Sequence, residues 1–331
     1  MSATIIAFFN NKGGVGKTSL VYHLSYMYSE LGMKVIAADF DPQANLTSAF
    51  LDEDALENIF EDERHSKTIL GSILPLKKGT GDIAKPHLEA ITDHLTLLIG
   101  DLALSEFEGE LSYQWSQCLD RQEKAFRVVS AFWRMLEKAN EEFGAKIILV
   151  DLGPNLGAIN RAVLISVDYI VIPLAPDLFS LQGLRNLGPT LRDWRKDWKE
   201  RIGKNPNPRE LAIPAGKMEP IGYIVMQPAI RLDRPVKSYE KWIKRIPGIY
   251  RQFVMDEDLK KVPVLEKDPN CLAQLKHYRS LMAMSQEVRM PIFLLKPADG
   301  AIGGHFSAVQ DAYADFKRLA GEIAKRADIK F

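Results

Sequence analysis

One segment near the start of the chain combines glycines, two lysines and hydroxyl side chains at a spacing that suits phosphate binding. Residues 10–19 read NNKGGVGKTS and lie between a short β-type run, Thr4–Phe9, and a run with apolar residues at helical spacing, Leu20–Leu31. Successive glycines let backbone N–H groups turn inward on an anion, and the end of the following helix adds partial positive charge. The order of strand, glycine turn and helix therefore predicts a phosphate-binding loop.

The second half of this loop carries the side chains that would act on a nucleoside triphosphate. Lys17 is placed to bridge the β- and γ-phosphates, and the Thr18 hydroxyl to ligate Mg²⁺. The usual loop has glycine five positions before Gly16, where this chain has Asn11, and a second lysine, Lys12, precedes the glycine pair. A glycine turn that holds no ligand is the other interpretation. The predicted nucleotide-binding residues are Asn11, Lys12, Gly13, Gly14, Val15, Gly16, Lys17, Thr18 and Ser19.

The elements that must position this loop alternate between strands and helices. Apolar runs separated by helical patterns predict an α/β fold with a mostly parallel, twisted sheet covered by helices on both faces. A long helix is predicted over residues 120–143 and a closing helix from Phe306 to Ile323. The predicted strands are Thr4–Phe9, Lys34–Phe40, Leu95–Ile99, Ile147–Leu152, Tyr169–Leu174, Ile221–Met226 and Ile292–Leu295. We interpret residues 1–331 as one domain with elaborations at 52–94, which is polar and irregular, and at 203–220, which contains four prolines.

Composition restricts the classes of protein to which the chain can belong. The 331 residues include 46% hydrophobic residues, and 43 basic side chains balance 43 acidic ones. This is typical of a globular protein with a real core. The two cysteines, Cys118 and Cys271, are too few for a disulfide framework and suit a reducing compartment. No signal peptide and no run of about 18 apolar residues is apparent, so we expect a soluble intracellular protein.

Four segments together resemble one known family. They are KGGVGKT at 12–18, ADFDPQANLTS at 38–48, ILVDLGPNLG at 148–157 and DYIVIPLAPDLFSLQGL at 168–184. The chain resembles the ParA/MinD family of ATPases with a deviant Walker A motif, and is most similar to its ParA, or Soj-like, branch. The resemblance implies a P-loop NTPase fold of the SIMIBI type. It covers residues 3–50 and 146–190 well, and Gly153-Pro154 stands where the family usually has two prolines.

The resemblance also implies roles for individual residues. Lys12 would reach across a dimer interface to the phosphates of the partner's ATP, and Asp41 would position or polarise the attacking water. With Lys17, these are the predicted catalytic residues. Asp151 would hold Mg²⁺ through water beside Thr18, with Asp39 in support; carboxylates after a strand are also common helix caps, so a structural role for Asp39 and Asp41 stays open. The implied cofactors are ATP and Mg²⁺, and the implied assembly is an ATP-bound homodimer.

Basic residues are concentrated in one part of this neutral chain. Residues 185–251 contain 16 Lys or Arg and 7 Asp or Glu. We expect the first cluster to point to solvent from a helix whose apolar stripe, Leu184–Trp198, faces the core, and the Gly188-Pro189 pair to kink or restart that helix. Clustered cations suit sequence-independent binding to DNA phosphates, and a solvated surface is the other interpretation. The candidate DNA-binding residues are Arg192, Arg195, Lys196, Lys199, Arg231, Arg234, Lys237, Lys241, Lys244 and Arg245.

The resemblance implies a slow, Mg²⁺-dependent ATPase that partitions or positions plasmid, chromosome or other cargo. Relatives in the ParA branch bind nucleoid DNA as ATP dimers, so we expect a cytoplasmic, nucleoid-associated protein stimulated by a ParB-like partner. Two alternatives stay open. One is a MinD-like positioning ATPase that binds membranes through an amphipathic C-terminal helix at 316–331. The other is an ATP-dependent ligase or amidase that acts on a small molecule. The resemblance also implies adenine contacts at the strand end near Met226-Gln227; an ordinary loop glutamine is the other interpretation of Gln227.

Overall fold

A computed structural model describes residues 3–226, 236–258, 261–278 and 280–330 of the chain. The described strands form a single sheet in the order β3-β4-β2-β5-β1-β6-β7-β8. Only β3 runs antiparallel to its neighbour, and every other pairing in this sheet is parallel. The strands are β1 (Thr4–Phe8), β2 (Val35–Asp39), β3 (Glu89–Thr92), β4 (Leu95–Leu98), β5 (Ile147–Asp151), β6 (Tyr169–Leu174), β7 (Glu219–Met226) and β8 (Cys271–Leu275).

Helices cover both faces of the sheet. The α-helices are α1 (Lys17–Glu30), α2 (Asn45–Phe50), α3 (Glu53–Phe60), α4 (Ile69–Lys77), α5 (Glu108–Gln117), α6 (Glu123–Val129), α7 (Ala131–Phe143), α8 (Ala158–Leu164), α9 (Leu178–Ile202), α10 (Val236–Ile243), α11 (Ile246–Ile249), α12 (Ser280–Val288) and α13 (Gly304–Arg326). Alternate strand residues enter two separate apolar clusters: Ile36 and Ala38 pack with the side of α4–α9, and Val35 and Ala37 with the side of α1, α2 and α13. The predicted α/β fold with a parallel, doubly covered sheet is confirmed.

Two strand assignments differ from the prediction. Ile292–Leu295 was expected to be a strand, but Ile292–Leu294 is one turn of 3₁₀ helix packed against α13. The edge strand β8, Cys271–Leu275, takes the place beside β7 instead. A run of four apolar residues buries equally well as a strand or as a helical turn, so periodicity alone does not separate them.

Three helical predictions also change. The long helix expected over 120–143 is two helices, α6 and α7, separated at Ser130, whose hydroxyl donates to the Phe126 carbonyl at 2.6 Å. Helix α9 continues through Gly188-Pro189 without restarting, and a Cβ at 188 would overlap the Phe253 carbonyl, so glycine there permits close packing. The 52–94 stretch, expected to be irregular, contains α3, α4 and β3, whereas 203–218 contains no helix or strand.

The sheet topology brings the carboxyl ends of four neighbouring strands to one edge. β2, β5, β1 and β6 are adjacent, and Asp151 at the end of β5 lies in register with Phe8 of β1 and Asp39 of β2. The predicted phosphate-binding loop, residues 10–19, follows β1 and is called the phosphate-type loop below. Helix α9 follows β6. In open α/β sheets, ligands bind at this edge, between loops that leave neighbouring strands.

Candidate functional site

The loop between β1 and α1 has the backbone of an anion-binding turn. Gly14 and Gly16 adopt φ values of +70° and +84°, a left-handed region that glycine enters without steric cost. Gly16 is the N-cap of α1 and has no side chain that could accept a hydrogen bond. The first N–H groups of the helix therefore receive no side-chain acceptor from their own cap residue. Asn10 is buried and fixes the loop, since its Nδ2 donates to the Pro173 carbonyl at 2.7 Å and its Oδ1 accepts from Lys12 N at 3.0 Å. These features suit a phosphate chain.

Lys17 begins helix α1 and lies near two carboxylates, those of Asp151 and Asp41. Its Nζ donates to the Lys12 carbonyl at 3.3 Å, and its side chain is buried. Burial lowers the pKa of Lys17 below its ordinary value, while the charges of Asp151 and Asp41 act in the opposite direction. A polyphosphate beside this amine would compensate its desolvation and favour the charged form.

Thr18, which is half-buried, and Asp151, which is buried, form a hydrogen-bonded pair next to Lys17. The Thr18 hydroxyl donates to Asp151 Oδ2 at 2.7 Å, and the second carboxylate oxygen, Oδ1, is buried without a hydrogen-bond partner. Burial, followed by the charge of Asp39, raises the pKa of Asp151 to about 8. An unpartnered carboxylate oxygen beside a hydroxyl fits a hydrated Mg²⁺. In the described residues no group of three or more His, Cys, Asp or Glu has metal-site geometry.

Asp39 and Asp41 differ in how the protein uses their oxygens. Asp39 Oδ2 accepts from the amide and the hydroxyl of Thr47, both at 2.8 Å, and its Oδ1 accepts from Asp41 N at 3.2 Å. Burial raises the pKa of Asp39 to about 6. These contacts favour a role in shaping the loop that carries Asp41, and the part of Asp39 in holding a metal stays a prediction.

Asp41 lies against the loop that follows β5. Its Oδ1 accepts from Gln43 N at 3.0 Å, and a Cβ built on Gly153 would lie 3.0 Å from the same oxygen. Helix α2 begins at Asn45 after the N-cap Ala44, so Asp41 is not the cap of that helix. Asp41 faces the same cavity as the phosphate-type loop.

A cavity of about 700 Å³ lies beside these groups, a volume typical of small-molecule sites. Its walls include the glycine loop with Lys17, Thr18 and Ser19, together with Asp41 and Pro154. Helix α12 and the residue after it complete the cavity with side chains that sequence reasoning missed, because no motif marks them: Met282, Ser285 and Gln286 of α12, followed by Arg289. Met226 closes over Gly16, with its Cε 2.9 Å from a Cβ built there, and Gln227 lies outside the described residues.

Lys12 folds back onto its own chain. Its amine forms an ion pair with the Asp177 carboxylate and lies 3.5 Å from the Ser180 hydroxyl at the start of α9. Asp177 is also the N-cap of α9, since its Oδ1 accepts from Ser180 N at 2.9 Å. Asn11, the neighbouring loop residue, has a buried Oδ1 without a partner. In a single protomer, therefore, an internal carboxylate compensates the charge of Lys12.

The first basic cluster is only partly available to a ligand. Lys196 and Lys199 are exposed on α9, as expected. Arg192 and Arg195 do not simply point to solvent: Arg192 donates to the Phe253 carbonyl at 2.6 Å, and Arg195 to the Lys217 and Met218 carbonyls at 2.8 and 2.5 Å. The side chains of Arg192 and Arg195 are long enough to reach these backbone carbonyls, and their hydrogen bonds connect α9 to the adjacent segments.

The second basic cluster surrounds Trp242. Lys241 lies 5.0 Å and Arg245 5.5 Å from the indole ring, and Lys244 pairs with Glu240 at 3.6 Å. All three cations are exposed. Arg231 and Arg234 lie outside the described residues, and the side chain of Lys237 is not among those described.

The C-terminal segment 316–331, considered above for membrane binding, packs the apolar side chains of α13 inside the protein. Phe316, Leu319 and Ile323 of α13 are buried in the core, so this apolar stripe is not free to enter a bilayer. No helix in the described ranges has the length and apolar character needed to cross a membrane.

Comparison with known proteins agrees with the site. A family model described as an AAA domain, AAA_31, matches residues 3–204. The sporulation initiation inhibitor Soj of Bacillus subtilis is 30% identical over 188 residues, 57% of this chain and 64% of Soj. The chromosome-partitioning ATPase Soj of Thermus thermophilus is 25% identical over 210 residues, 63% of this chain and 67% of that protein. A crystallised protein of Corynebacterium diphtheriae has a TM-score of 0.71 at 23% identity, with 98% of each chain covered.

The curated relatives differ from the chain in length. The matches cover between 41% and 81% of these relatives' own length. The Corynebacterium structure, covered almost completely, supports the P-loop NTPase fold. The family model matches more than half of the chain, and the matched segment contains the phosphate-type loop, Asp41 and Asp151. The predicted resemblance to the Soj-like branch is confirmed. The chain therefore belongs to this AAA domain family of the ParA/MinD type.

Proposed function

We propose that the protein is a Mg²⁺-dependent ATPase that dimerises around ATP, binds DNA without sequence preference and acts as a partition or positioning switch. The observation that carries the proposal is the Thr18–Asp151 hydrogen bond, with one buried, unpartnered carboxylate oxygen, beside a cavity that the glycine loop and Thr18 line. The name of the Thermus relative, a chromosome-partitioning ATPase, supports the same activity.

Each site residue has a distinct task in this proposal. The loop N–H groups and Lys17 bind the phosphates, and Thr18 and Asp151 hold hydrated Mg²⁺, which would supply charge stabilisation for the departing phosphate. Asp41 orients the attacking water, because its carboxylate is held between the Gln43 amide and the Gly153 backbone on the cavity wall. Pro154 packs beside Gly13 of the glycine loop.

Dimerisation would change the partner of Lys12. In one protomer its amine contacts Asp177, so it must leave that carboxylate before it can reach the phosphates of a second protomer. ATP favours this exchange because its γ-phosphate adds negative charge that ADP lacks. Association is thereby linked to the nucleotide state, since ATP binds the dimeric form better than ADP does.

DNA binding would follow from the exposed cations. Lys196 and Lys199 on α9, together with Lys241, Lys244 and Arg245 around Trp242, form the described part of the surface. Contacts to phosphate oxygens depend steeply on salt and carry no sequence information. Bringing two protomers together doubles the number of cations, which would restrict tight binding to the ATP dimer. A ParB-like partner would stimulate hydrolysis and end that state.

A phosphate-release assay tests the enzymatic part of the proposal. The wild-type chain should hydrolyse ATP slowly with Mg²⁺ and stop with excess chelator, and Lys17→Ala should lose both nucleotide affinity and turnover. Lys67→Ala, at an exposed lysine away from the cavity, is the matched control. Mg²⁺-independent turnover, or equal rates in the wild type and Lys17→Ala, would contradict the assignment.

A further inference from the structure

Helix α8 starts immediately after the loop that follows β5, and its cap comes from a distant part of the chain. The N-cap position is Gly157, which has no side chain to offer. Instead, Glu108, the first residue of α5, accepts hydrogen bonds from two amides of α8: Ala158 N bonds to Oε1, and Ile159 N bonds to Oε2 at 2.9 Å. One carboxylate therefore satisfies two backbone donors in the first turn of α8.

The local sequence is fitted to this imported cap. Gly157 has φ −80° and ψ −177°, a conformation open to every residue type, so backbone freedom does not explain the glycine. A Cβ at this position would overlap the Glu108 carboxylate. Asn160 holds the preceding loop from the same helix, since its Nδ2 donates to the Gly153 carbonyl at 2.8 Å and to the Asn155 carbonyl at 2.6 Å.

The loop held in this way touches both halves of the proposed ATP site. Gly153 approaches the Asp41 carboxylate, and Pro154 packs 3.9 Å from a Cβ built on Gly13 of the phosphate-type loop. A displacement of the α8 N-terminus would therefore move the backbone that sets the position of Asp41. The glycine loop and Lys17, which bind phosphate, would keep their positions, because β1 and α1 hold them.

Helix α5 is a firm support for the cap. The Trp115 ring contacts two guanidinium groups, with Arg161 of α8 at 4.2 Å and Arg201 of α9 at 4.4 Å from its centre. The Trp115 carbonyl also accepts from Arg201 Nε at 2.9 Å. Because α5 is fixed to both helices, Glu108 is held at a defined distance from α8.

We propose that Glu108 is a positioning residue for ATP hydrolysis: by fixing the first turn of α8, it holds the 153–154 backbone where Asp41 can orient water. The inference rests on the proposed ATPase activity. It assigns a task in that reaction to α5, which lies outside the four segments on which the family resemblance rests. The contribution is to the hydrolytic step, and nucleotide binding is largely independent of it.

Single-turnover hydrolysis and nucleotide affinity, measured on the same variants, test this role. We expect Glu108→Ala to lower the hydrolysis rate by about 10- to 100-fold, since a misplacement of about 1 Å can cost about 100-fold. Nucleotide affinity should change by less than about threefold. Glu108→Gln keeps one acceptor and should fall between the wild type and Glu108→Ala. Glu110→Ala is the matched control, since Glu110 lies on the same helix but bonds to Gln114 and Lys124.

A structural readout separates positioning from general destabilisation. Hydrogen exchange should speed up in the peptide that covers 153–160 of Glu108→Ala and stay at wild-type levels in β1 and α1. An unchanged hydrolysis rate in Glu108→Ala, or equal losses in rate and affinity with exchange raised throughout, would overturn the inference and leave the proposed function standing. A wild-type chain without Mg²⁺-dependent hydrolysis would refute the proposed function itself, and this inference with it.

Discussion

Replacing Asp177 with asparagine should strengthen ATP-dependent dimerisation, because it removes the charge that holds Lys12 within its own protomer. The side chains of this ion pair are 26% and 39% exposed, so solvent screens the attraction. Pairs of this kind contribute about 0.2–1 kcal/mol. At the upper limit, release of Lys12 would favour association about fivefold per protomer, or about 25-fold for the two lysines of a dimer.

Asparagine is chosen because it keeps the other task of Asp177. Its side-chain oxygen can still accept from Ser180 N at the start of α9, and asparagine is a good N-cap. Asp177→Ala loses this cap as well, at a cost of about 1 kcal/mol in folding stability, and so serves to separate the two effects.

Sedimentation velocity of Asp177→Asn with Mg²⁺ and a slowly hydrolysed ATP analogue measures the change. Lys12→Ala should bind nucleotide almost normally and fail to dimerise. Unchanged or weaker dimerisation of Asp177→Asn would refute the reasoning about the ion pair, and normal dimerisation of Lys12→Ala would refute the trans role of the lysine.

Three further predictions concern hydrolysis, pH and DNA. Asp41→Ala should reduce single-turnover hydrolysis by about 10²- to 10⁴-fold while the ATP dimer persists in sedimentation; loss of the dimer would contradict a purely catalytic role. The folded-state pKa of Asp151 is raised to about 8, so the folded chain binds a proton that the unfolded chain has released above pH about 4. The melting temperature of the nucleotide-free chain should therefore fall as pH rises from about 5 to about 8, and Asp151→Asn should flatten that slope; an unchanged slope would exclude Asp151 as its source. Lys196→Glu combined with Lys199→Glu should lower the salt slope of DNA binding by up to about 1.8 per protomer, whereas a charge-matched pair of changes at exposed lysines outside the two basic clusters should leave it unchanged.

The sequence contained enough information for the centre of the sheet and for the phosphate-type loop. β1, β2, β5 and β6 are apolar runs buried on both faces, and a glycine turn between strand and helix has few alternatives. The strands at the edges of the sheet were harder to predict. β8 is a weakly patterned CLAQL run, whereas the more apolar Ile292–Leu294 became a helical turn, because burial against α13 does not require a strand.

Long-range contacts account for what sequence reasoning missed in the site. Glu108 reaches α8 across 50 residues of chain, and α12 closes the cavity from the last quarter of the sequence. Neither segment has a motif, because a carboxylate that caps a helix or an amide that lines a cavity can come from any neighbouring element. Arg192 and Arg195 show the same limit: helical periodicity gives the face of a side chain, but not the backbone carbonyl that it reaches.

A crystal structure with Mg²⁺ and a non-hydrolysable ATP analogue tests the central claim most directly. The account predicts a dimer in which the Lys12 amine has left Asp177 and lies within hydrogen-bond distance of the analogue bound to the other protomer, with Mg²⁺ beside Thr18 and Asp151. A single protomer with the analogue bound and Lys12 still on Asp177, or an analogue bound away from the glycine loop, would contradict it.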